Sequence, residues 1–206
     1  MKPIDQVVDK LNANGFIAKS FSNMDEAKSA LLELIPKADS VGTGTSMTIK
    51  EGGILEAMTV RGQTVYSSML SGNLPPEETA ALRKQALQAD WFLSGTNAVT
   101  TQGELINIDG YGNRVAGLIF GPKKVVVLVG QNKITKSFNA GIKRIKTEAC
   151  GKNARRVGLD VPCAEDDQCH ACDHPRRMCN TVIWNQRPNY WHDAFYVYII
   201  EEDWGF

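Results

Sequence analysis

The sequence predicts an α/β fold in three layers, a mainly parallel sheet flanked by helices, with a small cysteine-rich insertion toward its C-terminal end. Three observations carry this. Val125 to Val129 is an unbroken run of Val and Leu, and a strand that is apolar at every position reads as buried on both faces, the situation of a parallel sheet covered by helices. Strand-like and helix-like segments alternate along the chain, as in βαβ units. The 206 residues are 43% apolar, enough for one well-buried domain spanning residues 1–206 but cramped for two.

In chain order, Ile4, Val7, Val8 and Leu11 fall at i, i+3, i+4 and i+7 before Gly15, so residues 3–14 read as an amphipathic helix. Phe16 to Lys19 reads as a short strand. Asn23 and Glu26 then form a capping box ahead of Ala27, Ala30, Leu31 and Leu34, and Pro36 ends that helix. These elements suggest an N-terminal helical extension over about residues 1–38. Residues 40–53, SVGTGTSMTIKEGG, look like a strand end, a Gly/Thr/Ser loop and a helix start in which Thr48 and Glu51 make a second capping box. A strand follows at Thr64 to Tyr66. Pro75 and Pro76 can open a helix that ends near Gln88.

The central stretch, Trp91 to Gly130, places strands near Trp91 to Leu93, Leu105 to Ile108 and Val125 to Val129, with a helical piece around Val115 to Phe120. Beyond it, QNKITKSFNAGIKRIKTEA gives a basic helix that ends near Cys150, a residue expected to be buried. The chain closes through Thr181 to Trp184, a turn at Arg187 to Asn189, and an aromatic strand, Phe195 to Ile200.

Ligands of open α/β sheets gather at the carboxyl ends of the strands, and two loops fall there. Gly42, Thr43, Gly44, Thr45, Ser46 and Thr48 combine small residues, hydroxyls and a helix start, a natural cradle for a phosphate, a carboxylate or CoA. A tight strand-to-helix turn would need the same small residues for sterics alone. In the second loop Glu104 or Asp109 is the candidate acid/base, while Thr96, Asn97, Asn107 and Asn113 would hold and orient a ligand. Arg114 would clamp a carboxylate or phosphate with its planar fork. Lys133, in the turn after the central strand, is either a charge partner for an acidic substrate or a solvated turn lysine. Glu104, Asp109, Asn113 and Arg114 are expected to line one pocket with the Gly42 to Thr48 loop.

Cys163, Cys169, Cys172 and Cys179 stand at C-x5-C-x2-C-x6-C, with His170 and His174 between them, in a segment of about residues 158–180 with little apolar periodicity. A C-x2-C pair can place two thiolates on one metal and two further cysteines can close the set, which suits zinc or an iron-sulfur cluster. Disulfides are the competing reading. Lys plus Arg equals Asp plus Glu at 23 each, so no global field draws nucleic acid to the chain. No apolar run approaches the ~20 residues of a membrane span, and a cytoplasmic location is expected. The glycines of VGTGTS lack the G-x-G-x-x-G spacing of a nicotinamide fingerprint.

SGTNAVTTQGELINIDGYGNRVAGLIFGP, followed by VVVLVGQNKI, resembles the core of the LUD (lactate utilisation) domain family. The likeness runs from about Val41 to about Asn180. That family's fold resembles the superfamily of ribose-5-phosphate isomerases, sugar-phosphate deaminases and CoA transferases, which places a ligand-binding loop where Gly42 to Thr48 lie. The resemblance implies a part in converting lactate to pyruvate beside iron-sulfur partner proteins, without a defined reaction for this chain alone, and a homo-oligomer is expected. Two readings follow: an enzyme or enzyme subunit oxidising lactate or a related 2-hydroxy acid, and a non-catalytic metabolite-binding scaffold docked on iron-sulfur partners.

Overall fold

Pro3 at the first helical position and Asp5, whose carboxylate accepts the Lys2 amide at 2.9 Å, start helix α1 (Pro3–Ala13). The computed structural model describes residues 2–72 and 74–206. After α1 come β1 (Ile17–Phe21), α2 (Met24–Leu34), β2 (Val41–Thr43), α3 (Met47–Glu51), α4 (Ile54–Val60), β3 (Val65–Tyr66), α5 (Pro76–Ala86) and β4 (Trp91–Gly95). The chain continues through β5 (Ala98–Thr100), β6 (Leu105–Asp109), α6 (Asn113–Phe120), β7 (Lys124–Gly130), β8 (Ile134–Thr135), α7 (Phe138–Arg144), α8 (Cys150–Arg156), α9 (Cys163–Asp166), β9 (Thr181–Asn185) and β10 (Ala194–Ile200).

Six strands form one parallel sheet in the order β1-β10-β7-β4-β2-β3. Alternation along β7 shows why it is apolar throughout. Val125, Val127 and Val129 face a core shared with Ile4, Val7 and Leu11 of α1 and Leu118 of α6. Val126 and Leu128 face the other core, with Ala27 and Leu31 of α2, Ile49 of α3 and Leu55 of α4. The three layers follow from those two apolar faces, each large side chain so buried contributing roughly 1.5–3 kcal/mol. The first 38 residues are built into this fold rather than appended, since β1 pairs with β10 along its whole length and α2 covers one face.

A second sheet has the order β8-β5-β6-β9, with β5 and β6 antiparallel, β6 and β9 antiparallel, and β5 and β8 parallel. Leu105 to Ile108 is a strand as expected, but it lies in this second sheet. Ala98, Ile106 and Ile108 pack there on Ile145 and Ala149 of the long helical run. That run is continuous from α7 to α8 through π-helix at Ile145–Ala149, so it passes Cys150 and ends at Arg156. Among the described residues no helix is long and apolar enough to cross a membrane.

Candidate functional site

Carboxyl ends of strands converge on one cleft of about 550 Å³. Thr45, Ser46 and Met47 reach it after β2, Gly95, Thr96 and Asn97 at the end of β4, Asp109 at the end of β6, and Lys133 after β7. Asn113 and Arg114 enter from the first turn of α6, whose Gly112 cap sits at φ 87°, a conformation that favours glycine. The helical run contributes Ile145, Ala149, Cys150, Asn153 and Arg156. The cysteine-rich segment adds a wall from Pro175 to Met178.

Lys133 is the most unusual side chain here. It is 3% exposed, and its Nζ donates to Thr48 Oγ1 at 2.9 Å. Among the described residues it forms no ion pair. Burial first, then Arg144 and Arg114, drive its pKa down to about 7, with Glu51 opposing. Thr48, whose hydroxyl also donates to the Trp204 carbonyl at 3.3 Å, holds the lysine from behind and does not line the cleft.

Arg114, expected as the ligand clamp, is spent on the protein. Its Nε faces Asp109 Oδ2 at 3.3 Å. Nη1 donates to Asn107 Oδ1 and Nη2 to Asn97 Oδ1 at 2.9 Å and the Ile108 carbonyl at 2.8 Å. Asp109 is equally engaged, its Oδ1 accepting the amides of Tyr111 at 3.0 Å and Gly112 at 2.8 Å. Asn107 is wholly buried, outside the cleft lining, and its Oδ1 also accepts the Asn97 amide at 3.2 Å. Together these residues form a rigid bracket at the end of β6. Of the two cations the sequence proposed for the site, Arg114 and Lys133, it is Lys133 whose charge is free to meet a ligand.

Glu104 is not in the cleft. It opens β6 at the far end from Asp109, five residues away along a strand rising ~3.4 Å per residue, so roughly 17 Å distant. Its Oε2 accepts from Thr100 Oγ1 at 2.9 Å. Of the Gly42 to Thr48 loop, Thr45, Ser46 and Met47 line the cleft, while Gly42, Thr43, Gly44 and Thr48 do not. Gly42 is small because a Cβ would strike the Ala86 backbone, and Gly44 because a Cβ would come within 3.0 Å of Arg114 Cβ. Thr43 donates to the Gly44 carbonyl at 3.0 Å. The cap of α3 is Ser46, which accepts the Ile49 amide at 3.4 Å, not the Thr48 and Glu51 box read from the sequence.

All five cysteines are free thiols. Cys169 is exposed and the other four are half-buried. Cys150 is therefore less enclosed than expected, and it lines the cleft while packing, with Cys179, on the Ile106 and Ile145 cluster. Burial pushes the Cys150 thiol up to about 12, assisted by Cys179, Cys163 and Cys169. Burial also raises Cys163, with Cys172, Cys179 and Cys169 adding to it. The thiols thus lie near enough to feel one another, which fits a soft-metal donor set. Among the described residues no three Cys, His, Asp or Glu side chains are arranged as a closed metal-binding group. His170 Nε2 instead lies 3.1 Å from both Asp166 carboxylate oxygens. Ala171, inside the C-x2-C pair, has φ 48°, a strained backbone for alanine that persists only where its surroundings enforce it.

The family model for the LUD domain matches residues 4–194. The chain belongs to the LUD domain family. A crystal structure of a DUF162 family protein from Deinococcus radiodurans covers 96% of this chain and 96% of its own, with TM-score 0.55 at 14% identity, a likeness of fold. Ribose 5 phosphate isomerase A from Neisseria gonorrhoeae covers 57% of this chain and 56% of its own at 20% identity, with TM-score 0.37. No curated protein matches the chain.

Within this LUD domain the sequence reading did not place Arg83, Tyr111, Arg156, Arg176, Arg177 or Phe206 at the site. All six line the cleft. A signal existed for Tyr111, an aromatic residue in a polar Gly-rich loop. Nothing local marks Arg83 or Arg156, which end ordinary helices and reach the site only through tertiary packing.

Proposed function

We propose that this LUD domain binds a small organic anion, lactate or a related 2-hydroxy acid, in the Lys133 cleft, and that it serves the oxidation of that acid alongside iron-sulfur partner proteins. The observation that carries this reading is Lys133 itself: a buried ammonium without a counter-ion, beside two guanidinium groups, is costly to the fold and becomes favourable when an anion arrives. Cys163, Cys169, Cys172 and Cys179 are proposed to hold one metal centre at the cleft wall. An iron-sulfur cluster there would supply electron transfer, and zinc would supply a structural clip. A second reading, a non-catalytic metabolite-binding subunit, draws on a specific observation: Asp109 carries the one carboxylate side chain among the lining residues, and Arg114 and two amides already engage it.

Calorimetry and thermal shift with lactate, pyruvate and phosphate, on protein prepared without oxygen, test the proposal. Saturable stabilisation by an anion is expected in the wild type. It should vanish in Lys133→Met and stay unchanged in Glu104→Gln. Affinity should fall about tenfold per pH unit above about 7, because the protonated amine is the binding form. Absence of any anion-dependent shift, or a Lys133→Met variant that binds like wild type, removes the reading. Turnover of lactate by the metal-replete chain with an artificial electron acceptor separates the enzyme from the binding subunit.

A further inference from the structure

The cleft is more cationic than a monocarboxylate requires. Lys133, Arg114, Arg83, Arg156, Arg176 and Arg177 all line it, against one acidic side chain, that of Asp109. This imbalance sits in a chain whose charges cancel, 23 against 23. Among the described residues, Arg83, Arg156, Arg176 and Arg177 form no ion pair. Arg83 Nε is buried with no hydrogen-bond partner. Arg156 bonds only Asn153 of its own helix, at 3.0 and 2.6 Å. Arg177 donates to the Cys172 carbonyl and to Asn180 Oδ1, but arginines without a carboxylate partner around one concavity repel each other, and planar forks of this kind match phosphate oxygens in pairs.

An aromatic platform stands at the same place. Tyr111 is 82% exposed although it borders a cleft, and the Arg83 guanidinium lies over one ring face, 4.2 Å from the centroid. A tyrosine already stacked on one side and open on the other is a surface on which a heteroaromatic ring can lie. The volume, about 550 Å³, is that of a site for a ligand of medium size, and a three-carbon acid fills little of it.

We propose that the cleft takes a nucleoside diphosphate beside the small acid, its phosphates spread over Arg156, Arg176 and Lys133 and its base stacked on the Tyr111–Arg83 pair. This rests on the reading of the Lys133 cleft as an anion site, and it adds a second ligand class to it. Base stacking and phosphate pairing are separable, so they predict different responses to different variants.

The test is calorimetry of the full chain at fixed ionic strength with ADP, pyrophosphate and lactate. ADP should bind about tenfold tighter than pyrophosphate. Tyr111→Ser, a change at an exposed position, should erase that margin and leave pyrophosphate untouched. The double variant Arg156→Gln/Arg176→Gln should weaken ADP and pyrophosphate at least tenfold and leave lactate unchanged. Lactate binding that depends on Lys133, together with ADP binding no tighter than pyrophosphate or indifferent to Tyr111→Ser, overturns the nucleotide inference and leaves the small-anion reading standing. If neither lactate, pyrophosphate nor ADP binds, both fail.

Discussion

Strand β7 and the segment from Gly158 to Asn180 are ordered by different physics. From Val125 to Gly130 every residue of β7 is buried and paired with β10, and Val125 to Leu128 are paired with β4 as well. In the segment, Val161 is the one fully buried residue, and most of the order comes from polar ties. Arg155 Nη2 bonds both carboxylate oxygens of Asp167 at 2.7 Å and Nη1 bonds the Ala164 carbonyl at 2.7 Å. Arg177 reaches the Cys172 carbonyl at 3.1 Å, and Asn180 donates to the Asp109 carbonyl at 3.2 Å. Exposed ties of this kind contribute little each. A cleft with one wall of each kind has a rigid side set by the sheet and a side whose position depends on few bonds.

Three measurements break or sharpen this contrast. Leu128→Ala removes a fully buried side chain from the sheet, and a loss of about 2–5 kcal/mol in denaturant unfolding is expected. A loss under ~1 kcal/mol would show that the sheet is not the stabilising half. Lys133→Met, at the rigid wall, should act in the opposite direction. The lysine's folded pKa of about 7 lies below its ordinary 10.5, so the unfolded chain binds the extra proton and wild-type stability rises as pH climbs from about 7 toward 10.5. The variant should therefore be more stable by roughly 1–3 kcal/mol at pH 6, with the gain shrinking by pH 9. A gain independent of pH would mean that burial, Arg144 and Arg114 do not depress this lysine's pKa. Cys172→Ser should have the smallest global effect: an unchanged circular dichroism spectrum, faster proteolysis near Asp166 and a lower metal content than wild type. A fall in global stability as large as that of Leu128→Ala would erase the contrast between the two regions.

The sheet half was legible in the sequence because burial writes itself into periodicity. Ile4, Val7 and Leu11 marked α1, the Asn23 and Glu26 pair marked the start of α2, and the unbroken valines marked a strand with two covered faces. The site was legible in outline only. The rule that ligands lie at strand ends gave Thr45, Ser46, Asn97, Asp109 and Lys133. It misplaced Glu104, because β5 and β6 form an antiparallel hairpin in a second sheet and Glu104 therefore lies at the end of β6 remote from the cleft. Arg114 misled for another reason, since its composition suits a ligand clamp and its bonding to Asp109, Asn97 and Asn107 is a tertiary fact. No short-range pattern foretells the π-helix at Ile145–Ala149.

That π-helix makes chain length, rather than residue identity, the sensitive variable in the long helical run. A wider turn holds one more residue than an α-helical turn, and in an α-helix each residue advances the azimuth by about 100°. Ile145 and Ala149 are buried, but Lys146 and Glu148 between them are exposed, so their side chains are free to vary. Deleting either one would close the wide turn to an α-helical one with the residues beyond it still facing the same way, whereas a further residue would rotate everything beyond it by about a quarter-turn, carrying Cys150, Asn153 and Arg156 away from the cleft together. Homologous chains that keep this cleft should therefore tolerate the loss of one residue between Ile145 and Cys150 more readily than the gain of one.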